Sequence, residues 1–333
     1  MYIDTCSPIT FAPLYMERVW GGRELERVYG RSLSSPDRPY GESWELVDRE
    51  DAQSVVSSGA FVGTSLHNLW TEHRAEVFGT DYETMVGCFP ILLKILDARD
   101  DLSIQVHPPV DLATSLDGEP KTEMWIIAAC DPGAKLHVGF RRGVTREDFR
   151  QALVDGTVAE CVHAIEPEPG QSIFIPSGRL HAIGAGFLIH EIQQNSDTTY
   201  RVFDWNRPGL DGKPRQLHVD KSMASIDFDD FEPFMDLPRG TLLTECPYFR
   251  TDRHFVDAAD AFTARDPDRF SILSMLSGCL QCCDERSFSA GDTILLPRRS
   301  PALVASADTT VIEITLPTGD SDCLAMKSKG FHE

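Results

Sequence analysis

The stretch with the most chemical potential is Ser103-Ile104-Gln105-Val106-His107-Pro108. On a strand, alternate side chains share a face, so Gln105 and His107 point the same way. An imidazole beside an amide oxygen can form one corner of a metal site. It can equally be a satisfied histidine at a strand end. Downstream comes Lys121-Thr122-Glu123-Met124-Trp125, where a glutamate stands at the entrance to the apolar run Met124 to Ala129. A carboxylate entering a core needs a partner or a cation, and Lys121, on the same face, is the internal candidate. A third piece, Gly170-x5-Pro176-x-Gly178-x2-His181, sets a strand between Gly and Pro, then a tight turn, then a histidine. Together, two imidazoles, a carboxylate and an amide oxygen make an N/O donor set suited to Zn²⁺ or a similar divalent ion. Arg201 follows the polar turn Asn195-Ser196-Asp197, and alternation puts Thr199, Arg201 and Phe203 on one face. If that face is interior, the guanidinium must meet an anion, either a bracing carboxylate such as Glu191 or Asp197 or an incoming substrate.

The third piece resembles the second signature of the cupin superfamily, in which the turn brings the residue at the His181 position to the barrel interior. The run from about 7 to 225 resembles class I mannose-6-phosphate isomerase in its short bacterial form. The matching segments are Trp20-Gly21-Gly22, Gly41-Glu42-Ser43-Trp44-Glu45, Phe89 through Pro108, Lys121 through Trp125, the His181 turn and Glu191 through Arg201. The resemblance implies that Gln105, His107, Glu123 and His181 hold one Zn²⁺ per chain. It implies a catalytic Arg201, a role for Lys121 in proton transfer, and phosphate binding by Ser103 and Arg207. The expected reaction interconverts mannose 6-phosphate and fructose 6-phosphate through an enediol. Two departures stand out. The spacing from His107 to Glu123 is longer than in a generic cupin's first signature, though it suits this family. A repeat of the Gly-strand-Pro motif, Gly291 to Pro297, continues as Arg298-Arg299-Ser300 and has lost its metal half.

The elements that must position these residues read as mainly β. Short strands separated by Gly and Pro, such as Ser172 to Ile175, Phe187 to Ile192 and Thr199 to Phe203, suggest a sandwich or jelly roll. Ile91 to Leu96, apolar and preceded by Gly87 and Pro90, reads as a buried strand. Residues 64–78 predict a helix capped by Ser65, with Leu66, Leu69, Trp70, His73 and Val77 on one face, and residues 145–153 a second, capped by Thr145. With the internal repeat and the resemblance, the expected fold is two cupin-type jelly-roll barrels with a small helical insertion at about 64–78 and 111–155. The metal-binding domain is expected over 1–238, and a second cupin-like domain without a metal site over 239–333.

The 333 residues carry a net charge of −21, which repels nucleic acid and anionic membranes. An anionic substrate must then be held by a local basic cluster. No apolar run is long enough to span a bilayer, and the first residues do not read as a signal peptide. Nine scattered cysteines fit reduced thiols and a cytoplasmic protein, and Cys279-Leu280-Gln281-Cys282-Cys283 lacks the second pair that a zinc site needs. His137, His163 and His190 read as structural, while Glu191 and Asp197 fit either the site wall or an orienting role. Two rival functions are an Fe(II) cupin dioxygenase and a non-catalytic sugar-phosphate-binding cupin.

Overall fold

The computed structural model describes residues 5–317, so Cys323 and His332 lie outside the described residues. Strands take 39% and helices 15%, which makes the chain mainly β. It divides into two compact units. One comprises Tyr15–Ser43 and Lys94–Asp236. The other comprises the described residues up to Leu14, Trp44–Leu93 and the described residues from Leu237. The expected boundary at 238 is therefore only one of four places where the chain passes from one unit to the other.

The first unit is a pair of facing sheets. One has the strand order Val162–Ile165, Leu136–Phe140, His181–Ile183, Ile104–Val106, Tyr200–Phe203. The other has the order Ser172–Ile175, Glu123–Cys130, Phe187–Gln194, Ile91–Ala98, Leu14–Gly22, Tyr40–Leu46. They remain separate sheets and do not close into one hydrogen-bonded barrel. Between them lies a buried cluster that includes Trp20, Leu96, Trp125, Ile127, Val138, Ile173 and Ile189.

A second cluster explains how polar residues come to face inward. Ile104, Val106, Leu180, Ala182, Tyr200 and Val202 pack with Phe149 and Ala152 of the helix Arg146–Asp155. These residues flank Gln105, His181 and Arg201 in sequence, so the two-residue period of a strand turns those three to the opposite face. Thr145 caps this helix with a reciprocal capping box to Asp148, as its sequence predicts.

In the other unit, strands run in the order Leu242–Glu245, Arg250–Val256, Leu303–Thr315, Ser271–Gln281, Thr293–Leu296, Ile9–Phe11, Val56–Ser58. The two copies of the repeated motif form corresponding strands, Ser172–Ile175 and Thr293–Leu296, each opened by a left-handed glycine, Gly170 at φ 88° and Gly291 at φ 87°. Trp70, Phe78, Phe89 and Phe270 form an aromatic core in this unit with edge-on contacts.

Three expectations differ in detail. The helix over 64–78 breaks into Leu66–Glu72 and Arg74–Val77 because His73 leaves helical geometry at φ −120°, ψ 21°; Ser65 caps the first piece by accepting from Asn68 N. The segment 111–155 is not a helical insertion throughout, since it supplies the sheet strands Glu123–Cys130 and Leu136–Phe140. A β-bulge between Arg201 and Phe203 breaks the expected alternation there. Thr199 and Arg201 line the inner cavity, whereas Phe203 packs with Trp205 on the outer cluster.

Candidate metal and substrate site

A cavity of about 580 Å³ opens between the two sheets of the first unit. Strand pairing assembles its floor. His181 and Arg201 are both register partners of Gln105, on either side of it, and Glu123 pairs with Gln193 on the facing sheet. His107, Glu123 and His181 are each about 1% exposed, and one ligand atom from each lies within 4.8 Å of the others.

The hydrogen bonds around the histidines decide what these atoms can do. His107 Nδ1 donates to the Thr198 carbonyl at 2.9 Å, and His181 Nδ1 donates to the Arg179 carbonyl at 2.9 Å. Each imidazole thus turns its Nε2 lone pair inward, 3.4 Å and 3.5 Å from the Glu123 carboxylate. His107 Nε2 has no hydrogen-bond partner among the described residues. Two lone pairs and a carboxylate converging in a dry pocket repel one another unless a cation joins them, and backbone carbonyls behind the imidazoles are the usual supports of metal ligands. The donor set fits a divalent metal. Gln105 stands beside it, with its Nε2 3.2 Å from His181 Nε2 and its Oε1 accepting from Ser103 Oγ at 3.3 Å. Ligation through the amide oxygen needs a half-turn of the near-isosteric amide.

Electrostatics follow from burial. Burial drives the His107 imidazole down to about 3 and lowers His181 as well, so both are neutral and ready to donate lone pairs. Burial pushes Glu123 upward, but Lys121 and then His107 outweigh it and hold the carboxyl well below its usual range. Lys121 Nζ lies 2.9 Å from Glu123 Oε2 and 3.3 Å from Glu191 Oε1. Burial pulls this lysine down, yet the two carboxylates overcome it and keep the ammonium charged. Glu191 is raised to about 7, chiefly by burial.

Arg201 pairs with neither Glu191 nor Asp197. Its guanidinium donates to the Gln216 carbonyl at 2.9 Å, and its buried Nε has no partner among the described residues. Burial, then the nearby Arg215, depresses it. Among the described residues this cation lines the cavity without a carboxylate of its own. Ser103 also lines the cavity. Arg207 is not among the residues lining the cavity and is held by Asp100 at 3.0 Å and Asp204 at 3.3 Å, though its charge is felt by Arg201; Arg215, also paired with Asp204, reaches the cavity wall.

Among the charged wall residues that escaped the sequence reading are Arg18, Glu42, Lys94 and Arg215. Arg18 grips Glu42 through two 3.0 Å hydrogen bonds. Lys94 lies 3.7 Å from both Glu42 and Asp197. A usable signal existed for Lys94, the one charged residue in the otherwise apolar run Ile91–Leu96, where a charge is costly without a task. Arg215 lies in an irregular segment with no such pattern.

Among known proteins, the family model "Phosphomannose isomerase type I, catalytic domain" matches residues 9–123. Mannose-6-phosphate isomerase ManA of Bacillus subtilis (strain 168) is 35% identical over 306 residues, covering 88% of this chain and 94% of the relative. A mannose-6-phosphate isomerase of Streptococcus mutans is 31% identical over 317 residues, covering 90% and 97%. The crystal structure of mannose 6-phosphate isomerase from Bacillus subtilis superposes with a TM-score of 0.82 at 29% identity, covering 93% of this chain and all of that one. These relatives, with the fold, make the chain an aldose–ketose isomerase of cupin type. Within that class, the chain belongs to the type I phosphomannose isomerase family.

Proposed function

We propose that this enzyme interconverts mannose 6-phosphate and fructose 6-phosphate, with one Zn²⁺ per chain held by His107, Glu123, His181 and Gln105. The observation that carries the reading is a cavity lined by Gln105, Glu123, a charged Lys121 and the carboxylate-free Arg201, with ligand atoms of His107 and His181 within 4.8 Å of that of Glu123. The metal supplies Lewis acidity toward the sugar oxygens.

The residues of the chain do the rest. The reaction moves a proton between C2 and C1 through an enediol, so negative charge develops on oxygen. Arg201, preorganised by Gln216 and facing no carboxylate, is placed to meet that charge. Lys121 and Glu191, 3.3 Å apart, are coupled across one contact, so a proton taken from the sugar carbon can pass between them. Ser103 and Arg215, both on the cavity wall, offer contacts for the phosphate. Arg207 contributes by sharing Asp204 with Arg215, leaving that arginine partly neutralised but fixed. The Fe(II) dioxygenase alternative gives no use to the Lys121–Glu191 pair.

A coupled assay for fructose 6-phosphate formation, run with and without a chelator, tests the proposal. Turnover that disappears on chelation and returns with Zn²⁺ is expected. Metal-loaded protein that binds sugar phosphate without turning it over would establish the non-catalytic alternative. We further propose that the protein works in the cytoplasm. No disulfide links the described cysteines, and no described helix is long and apolar enough to cross a membrane.

A further inference from the structure

A second constellation of ligand types lies in the unit that holds Trp44–Leu93. Asp48, His67 and Cys88 each offer one ligand atom within 4.8 Å of the other two. They come from three elements: the short strand Asp48–Arg49, the first turn of helix Leu66–Glu72, and the segment that leads into strand Ile91–Ala98. Each is held in place. Asp48 is fully buried, and its carboxylate accepts from Phe89 N at 2.7 Å and from Gln53 Nε2 at 2.7 Å. The first of these bonds also fixes the backbone next to Cys88. Ser65 caps the helix two residues before His67. His67 Nδ1 stands 3.1 Å and 3.2 Å from the two Asp48 oxygens, and its side chain is about half exposed. Cys88 is exposed and makes no disulfide.

We propose that Asp48, His67 and Cys88 bind a second divalent ion of the borderline-soft class, Zn²⁺ foremost. Thiolate plus imidazole plus carboxylate selects such an ion over Mg²⁺ or Ca²⁺, which prefer oxygen alone. The N to O separation near 3.1 Å is close to the edge of a zinc tetrahedron, about 3.3 Å for bonds of about 2.0–2.1 Å. Exposure at His67 and Cys88 leaves an entry path and room for water as the fourth ligand. On binding, the imidazole proton moves to Nε2 and the Cys88 thiol releases its proton to solvent, so affinity rises with pH.

The site carries sulfur, whereas the His107/Glu123/His181 pocket offers only nitrogen and oxygen, and that difference separates them experimentally. Holoenzyme titrated with Co²⁺ is expected to develop one thiolate-to-metal charge-transfer band per chain in the near ultraviolet. Cys88→Ser should abolish the band, and His67→Asn should weaken the affinity at least about 100-fold, more than the loss of an outer-shell partner usually costs. Both residues are solvent-accessible, so both variants should keep their fold, and isomerase turnover should stay unchanged. No band in the wild-type protein overturns the site. So does a band that survives Cys88→Ser, or one whose affinity is unaffected by His67→Asn.

Discussion

At the scale of single residues, Arg201 and His190 show how burial divides function from structure. Arg201 has no carboxylate among the described residues, so its charge is available to substrate. Arg201→Ala is expected to lower kcat by about two to three orders of magnitude while metal content and melting temperature hold, and Arg201→Lys to recover only part, because a point charge cannot copy the planar fork. Steady-state kinetics beside metal analysis checks this; near-normal kcat in the Ala variant refutes it. His190 is fully buried against the Tyr29 hydroxyl at 2.7 Å, and burial drives it down to about 3. Its folded form is neutral. Its contribution to stability is complete above an unfolded value near 6.5 and is lost as pH falls toward 3, by about 1.4 kcal/mol per pH unit. His190→Gln should therefore lose less melting temperature than the parent between pH 7 and pH 5. Equal losses would assign the acid sensitivity to other groups. In the sequence Gln105, His107, Glu123 and His181 stand out singly only as polar residues in or beside apolar strand-like runs, and it is the family resemblance that joins them into one ligand set. Arg18, Glu42 and Arg215 stayed invisible because their meeting depends on which strands and loops become neighbours, and no local period encodes that.

At the scale of elements, one glycine ties two supports of the site together. A Cβ at Gly118 would overlap both Tyr200 Oη and Thr198 Cγ2. Tyr200 anchors the strand that carries Arg201 through its hydrogen bond to the Leu116 carbonyl, and the Thr198 carbonyl orients His107. Gly118→Ala is expected to cost about 1–3 kcal/mol through overpacking and to reduce metal retention. Adding Tyr200→Phe should restore part of both by removing the clashing oxygen. Thermal melting and metal content of the single and double variants test this; a single variant that matches the parent in both removes Gly118 from the account. The strands themselves were legible, since Gly and Pro bracket them and their apolar period is two. The bulge after Arg201 and the helix break at His73 were not, because each is imposed by packing rather than by a residue with unusual backbone preferences.

At the scale of the whole molecule, charge governs the approach of an anionic sugar phosphate. The chain carries −21, and the cavity itself sets five cations, Arg18, Lys94, Lys121, Arg201 and Arg215, against six carboxylates, Glu17, Glu42, Glu123, Glu191, Asp197 and Asp211. With the two charges of the proposed Zn²⁺ the cavity is only about one charge positive, too little to reverse the long-range repulsion of the whole chain. Raising ionic strength shortens the Debye length from about 30 Å at 0.01 M to about 8 Å at 0.15 M. KM should fall over that range, and a KM that rises would show that the arginines dominate the encounter. In the other unit, His254 is held 3.0 Å from Glu313, a pairing internal to its sheet, so His254→Ala should leave the metal content measured by elemental analysis unchanged.

The four passages of the chain between units have a consequence during synthesis on the ribosome. The unit with the cavity is complete in sequence once Asp236 has emerged, so its ligands can gather while translation continues. The other unit holds some of the earliest residues made and all the described residues made last. Strand Ile9–Phe11 waits for Thr293–Leu296, and Phe78 and Phe89 wait for Phe270. Until then a strand edge is unpaired and the rings of Phe78 and Phe89 lack part of their native cover, and the nascent chain is most exposed to aggregation when its catalytic half is already assembled.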